Sequence, residues 1–166
     1  MAGLHKPDVR QYVVRPALEL LDPIIPYSLA AENLVLGTGI QETQLTYLHQ
    51  IHGPALGIFQ MEPATYLDLY KNYRPGSAET LELFALLTKG FNLPAGSIPR
   101  ADLMVANLLY AAAMCQIFYR RVPKSLPKAD DVEGLAQYWK TYYNTPKGKG
   151  TVDHARLAFH QAVLTP

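Results

Sequence analysis

Glu42 is the side chain of this sequence best placed to do chemistry, since Leu34, Val35, Leu36 and Ile40 run up to it and Leu45, Tyr47 and Leu48 follow. A carboxylic acid protonates a leaving oxygen near neutral pH only where an apolar wall raises its pKa, from about 4.3 for a free Glu to about 6 or above. Downstream, from Gly53 to Thr65, lies a compact run of Gly, Gln and Pro. An acid set just before an ordered turn suits the breaking of a glycosidic bond, whose departing oxygen must be protonated.

Four segments carry a resemblance. The first is Gln41-Glu42-Thr43, and the second is Gly53-Pro54-Ala55-Leu56-Gly57-Ile58-Phe59-Gln60-Met61-Glu62-Pro63-Ala64-Thr65. The third is Asn107-Leu108-Leu109-Tyr110-Ala111-Ala112, and the last is Tyr142-Tyr143-Asn144-Thr145, in a stretch that begins at Trp139 and ends at Thr151. In order and spacing these resemble the motifs of the lytic transglycosylase branch of the lysozyme-like superfamily. Three positions depart from the family pattern: Thr43 stands where Ser is usual, Glu62 where an apolar residue is usual, and Ala111 where Gly is common. The last motif has the form associated with phage and prophage proteins.

The resemblance implies a single lysozyme-like domain over residues 1–166, all-α or α with a very small β-element, with a substrate cleft. It implies a peptidoglycan-degrading enzyme that cleaves the β-1,4 bond between N-acetylmuramic acid and N-acetylglucosamine as a lytic transglycosylase, with Glu42 as acid and then base. Thr43, Phe59, Gln60, Glu62, Tyr143 and Asn144 fall on the substrate side of that pattern. No cofactor and no metal are implied. The partners implied are glycan strands, together with phage-tail or secretion-machine proteins, and the place of action is the bacterial cell wall in the periplasm after delivery of a phage-encoded protein. Two alternatives stay open: a muramidase, and a catalytically weak wall-binding or structural part of a phage tail or secretion machine.

Taken by residue type, the Gln60 amide donates and accepts, as a sugar acetamido or hydroxyl group requires. Tyr143 offers a hydroxyl to Glu42 or to a sugar, although a tyrosine on an amphipathic helix serves a core equally well. Thr43 and Asn144 suit local hydrogen bonds that hold the site. Tyr47, Phe59, Tyr66 and Tyr110 have rings that stack on sugars or simply pack. Glu62 is either a cap before Pro63 or a second carboxylate. His49 and His52 lack the i, i+4 spacing of a zinc helix and a clear third ligand. Pro146-Lys147-Gly148-Lys149-Gly150 is no phosphate loop and reads as a basic loop able to touch an anionic glycan.

Composition bounds these readings. With 166 residues, 49% apolar and 17% charged, the chain suits one compact domain. A net charge of +1 excludes the basic excess of a nucleic-acid binder. The lone Cys115 forbids an internal disulfide and sits in an apolar run, as a buried thiol does. The first residues show no uninterrupted apolar stretch, so no secretory signal is expected. Leu103 to Tyr119 approaches the roughly 17-residue minimum of a membrane span, but Asn107 and Gln116 inside it favour a core helix.

Helical periodicity and caps predict the positioning elements. Val9 to Leu21 should be helical, with Pro16 bending or restarting it. Ser28 should cap a helix ending near Glu42, with Gly37 and Gly39 allowing close approach. A small β-element or ordered loop should lie between Thr43 and Gln60. Further helices should run from Pro63 to about Tyr73, from Ser77 to Gly90, through the apolar stretch to Arg120 and Arg121, from a capping box of Asp130 and Glu133 to Tyr143, and from Val152 to Leu164.

Overall fold

The computed structural model describes residues 3–144 and 150–166, and over these the chain is all-helical, with isolated β-bridges instead of strands. The helices are α1 (Lys6–Val9), α2 (Arg15–Leu21), α3 (Leu29–Thr43), α4 (Pro63–Asp68), α5 (Ala78–Gly90), α6 (Leu103–Ala106), α7 (Leu108–Arg120), α8 (Val132–Trp139) and α9 (Val152–Leu164). None is long and apolar enough to cross a membrane.

Two helices form the centre. In α7 every residue from Tyr110 to Tyr119 is buried, and in α3 every residue from Ala31 to Ile40. A helix apolar on all sides must be wrapped by others. The amphipathic α2, α5, α8 and α9 supply that wrapping with Leu18 and Leu21, Leu83 and Leu87, Leu135 and Trp139, and Phe159 and Ala162. Along α3, Gly37 lets the Phe159 ring lie against the backbone: a Cβ there would come within 2.3 Å of the ring.

One polar cluster is sealed in this core. Arg10, 1% exposed, is paired with Glu32, 0% exposed. Its guanidinium also donates to Asn33 Oδ1 at 2.7 Å and to the Ala162 carbonyl at 2.6 Å, while Arg15 and the Tyr27 hydroxyl donate to Glu32 Oε2 at 3.0 and 2.6 Å. The cluster ties the first helical segment to α3 and α9.

The cap at Ser28 forms, its Oγ accepting from the Ala31 N–H at 3.1 Å, and Thr151 caps α9 in the same way. Pro16 restarts the first helix: α2 opens at Arg15 with Pro16 in its first turn, and the chain reaches it from α1 through a π-helical turn, Arg10–Val14. The apolar stretch is not one helix: Asn107 leaves helical geometry at φ −134° and ψ 103°, and its Oδ1 accepts from the Tyr110 N–H at 3.0 Å, so it ends α6 and caps α7. Asp131 takes the cap of α8 instead of Asp130, accepting from the Gly134 N–H at 2.8 Å. At α5 Ser77 and Thr80 form a capping box.

Candidate functional site

The site begins where α3 stops. Gln44 and Leu45 both take positive φ, 51° and 56°, which ends the helix one residue past Glu42-Thr43 and turns the chain outward. Residues 49–61 then form the small β-element, with antiparallel bridges His49 to Leu56 and Leu56 to Met61. Leu56 and Met61 exchange backbone hydrogen bonds at 2.9 and 3.1 Å, closing a loop of Gly57, Ile58, Phe59 and Gln60 in which Gly57 and Gln60 have positive φ.

Two side chains moor this loop. The buried Thr43 hydroxyl lies 2.9 Å from the Ile58 carbonyl and 3.2 Å from that of Gly39, tying the loop to α3. The Tyr143 hydroxyl donates to the Phe59 carbonyl at 2.7 Å. Tyr143 stands on a π-helical turn, Lys140–Asn144, that prolongs α8, with its ring edge-on to Phe118 at 4.8 Å. Gln60 turns its amide nitrogen back to the Gly57 carbonyl at 2.8 Å.

Between α3, the loop and the end of α8 lies a cleft of about 500 Å³. Glu42, Gln60, Glu62, Tyr143 and Asn144 all line it, with Gln50, Met61, Thr65 and Phe118. It therefore offers a carboxyl, amides and a hydroxyl beside apolar faces, the mixture that a sugar requires. Asn144 accepts from Lys140 Nζ at 2.8 Å. Glu62 occupies the cap position of α4 without a side-chain cap bond, and its side chain is exposed.

Glu42 is the perturbed group. Burial pushes its carboxyl from the ordinary 4.5 up to about 7, and a hydrogen bond from Trp139 Nε1 to Oε1, 2.9 Å long, only partly opposes this. The groups beneath it stay neutral: burial pushes the Cys115 thiol and the hydroxyls of Tyr119 and Tyr143 well above their usual values. A neutral, partly buried carboxyl with a proton to give near pH 7 is the chemical content of the cleft.

Several expected residues take other places. Phe59 is 1% exposed, its ring packed where a Cβ on Gly39 would touch it at 3.1 Å, so it cannot stack on a ligand; its carbonyl does the work of anchoring Tyr143. Thr43 lies beneath the cleft, not on it. Tyr66 and Tyr110 are fully buried and, with Tyr70, form a hydroxyl cluster joined by 2.7 and 2.8 Å hydrogen bonds. Tyr47, His49 and His52 are exposed, and no group of three potential metal ligands occurs among the described residues. Thr145 and the basic stretch 146–149 lie outside the described residues. In the sequence Trp139 reads only as a flank of the last motif; it is the single Trp, stands four residues before Tyr143, and in the structure donates to Glu42.

Comparison of the chain with models of known families, with curated proteins and with solved structures finds no match.

Proposed function

We propose that the protein degrades peptidoglycan by cleaving the β-1,4 bond between N-acetylmuramic acid and N-acetylglucosamine, acting as a lytic transglycosylase. One observation carries the reading: the Glu42 carboxyl lies in a cleft rich in amide and hydroxyl groups, with burial raising its pKa to about 7. The motif order from Gln41 to Thr151 supports the same reading by resemblance.

In the first step Glu42 gives its proton to the glycosidic oxygen as the bond to the muramyl C1 breaks. In the second, the Glu42 carboxylate takes the proton from the C6 hydroxyl of the muramyl residue as that oxygen attacks C1. The product is a 1,6-anhydro sugar, no water is consumed, and Glu42 ends protonated as it began. Gln60, Gln50 and Asn144 supply amides for the acetamido and hydroxyl groups, and Met61 and Phe118 supply apolar faces. The phage-type form of the last motif points to delivery with a phage tail or secretion machine.

A second reading rests on Glu62. Its carboxylate lines the same cleft and makes no cap bond, so it is placed to activate water, which would make the protein a muramidase. Mass spectrometry of the fragments released from purified peptidoglycan separates the possibilities. Anhydro-muropeptides are expected, reducing muropeptides would establish the muramidase, and no release, with binding retained, would leave a wall-binding module.

A further inference from the structure

We propose that Trp139 is a positioning residue that dictates which oxygen of Glu42 carries the catalytic proton. This rests on the acid role given to Glu42 above. An indole N–H can only donate. It donates to Oε1 at 2.9 Å, and the hydroxyl oxygen of a carboxylic acid is a poorer acceptor than the carbonyl oxygen. The proton of the neutral acid is therefore held on Oε2, which has no hydrogen-bond donor among the described residues and is left for the ligand.

The indole cannot move away. Trp139 is 1% exposed, and the chain closes over it at Gly150, where a Cβ would come within 2.5 Å of the ring and 3.1 Å of the Asn144 amide. Burial also leaves its N–H no solvent to turn to, so Glu42 and Trp139 satisfy each other. When Oε2 releases its proton, the negative charge that develops on the carboxylate meets a donor already in place, and a hydrogen bond to an ionised acceptor is the stronger kind. When Oε2 recovers a proton in the second step, Oε1 remains committed to the indole. The same oxygen thus serves as acid and as base.

The titratable groups facing Glu42 are Cys115 and Tyr119 from α7, Tyr143 beyond α8, and Glu62 across the cleft. The first three are neutral near pH 7, and Glu62 is unchanged in the test below.

The test replaces Trp139 with β-(3-benzothienyl)alanine, in which sulfur takes the place of the N–H at nearly constant shape, and with 5-fluorotryptophan, which keeps the N–H. Carbon-13 NMR titration of the Glu42 carboxyl, assigned by its loss in Glu42→Gln, is read beside the pH profile of muropeptide release. The benzothienyl protein should show a Glu42 pKa higher by about one pH unit. The alkaline limb of its profile should move by the same amount, with a plateau rate lower by roughly tenfold. The fluorotryptophan protein should match the wild type in both. An unchanged Glu42 pKa in a folded benzothienyl protein overturns the inference, and so does a rate loss without a pKa change, which would make Trp139 merely structural. Because the titration needs no substrate, a raised Glu42 pKa in the benzothienyl protein together with no fragment release by the wild type overturns instead the acid role on which the inference rests.

Discussion

The Tyr143 hydroxyl donates to the carbonyl of Phe59 at 2.7 Å, and this bond joins the two walls of the cleft, the end of α8 and the loop that carries Gln60. It gives Tyr143 a structural role at the cleft. Tyr143→Phe leaves a buried carbonyl without its partner, at a cost of about 1–2 kcal/mol. Muropeptide release should then fall several-fold as the loop loosens. A loss of 100-fold or more, with stability little changed, would show instead that the hydroxyl handles a proton directly. Urea unfolding and fragment release on the same preparation decide between the two.

On the proposed function the Glu42 carboxyl couples activity to stability. Its native pKa of about 7 lies above the ordinary 4.5, so the folded state holds the proton more tightly than the unfolded one. The stabilisation is complete below the ordinary value and is lost as pH rises through the native one, after which a buried charge costs about 3 kcal/mol. Glu42→Gln, which still offers an oxygen to Trp139, should therefore be more stable than wild type by up to about 3 kcal/mol near pH 8.5 and nearly equal near pH 4. It should also lose wall lysis by at least about 100-fold, and wild-type lysis should decline above pH 7 as the acid form disappears. Denaturant unfolding at the two pH values checks the first part. Equal stabilities at high pH would mean that the carboxyl is not desolvated.

Glu32 has the opposite sign. Burial pulls its pKa upward, but the hydrogen bonds from Arg15, Tyr27 and Arg10 outweigh burial and hold it below the ordinary 4.5. The cluster's stabilisation is present above that value and is lost as pH falls through the native one. Glu32→Gln leaves Arg10 buried with a neutral partner and should cost about 3–5 kcal/mol at neutral pH. The gap to wild type should narrow as pH falls below the ordinary 4.5 and through the lower native value, where the wild-type carboxylate also loses its charge. A cost under about 1 kcal/mol at neutral pH would show that the ion pair is replaceable.

What the sequence made legible follows from the range of the forces involved. The helix Val152–Leu164 was readable because its cap at Thr151 and its apolar spacing are both local. The break at Asn107 was not, because hydropathy runs unbroken across it and Asn caps only by leaving helical geometry, which composition does not record. For Phe59, Tyr66 and Tyr110 the sequence left packing and stacking both open, since a ring that packs and a ring that stacks have the same pattern in one chain, and their burial decides for packing. The bond between Trp139 and Glu42 joins residues far apart in the chain, and no spacing rule reaches that distance. The cluster of Arg10 and Glu32 was hidden in the same way. The placing of Glu42, Gln60 and Tyr143 around one cleft was anticipated only through the order of the motifs.

Glu62 decides between the two mechanisms. It stands at the start of α4, where a carboxylate favours the positive end of a helix, yet its side chain makes no cap bond and lines the cleft with Glu42. If the muramyl C6 hydroxyl is the nucleophile, no second base is needed, and Glu62 only shapes the cleft. Glu62→Gln should then lower fragment release a few-fold, shift stability by about 1 kcal/mol or less, and leave anhydro-muropeptides as the product. If water is the nucleophile, Glu62 must be ionised to accept its proton. The wild-type profile would then gain an acidic limb as well as the alkaline one set by Glu42, and Glu62→Gln would remove both that limb and about 100-fold or more of the rate. The wild-type pH profile, the product masses and the Glu62→Gln rate are three independent readings of one question, and the transglycosylase assignment requires that all three show a single carboxyl at work.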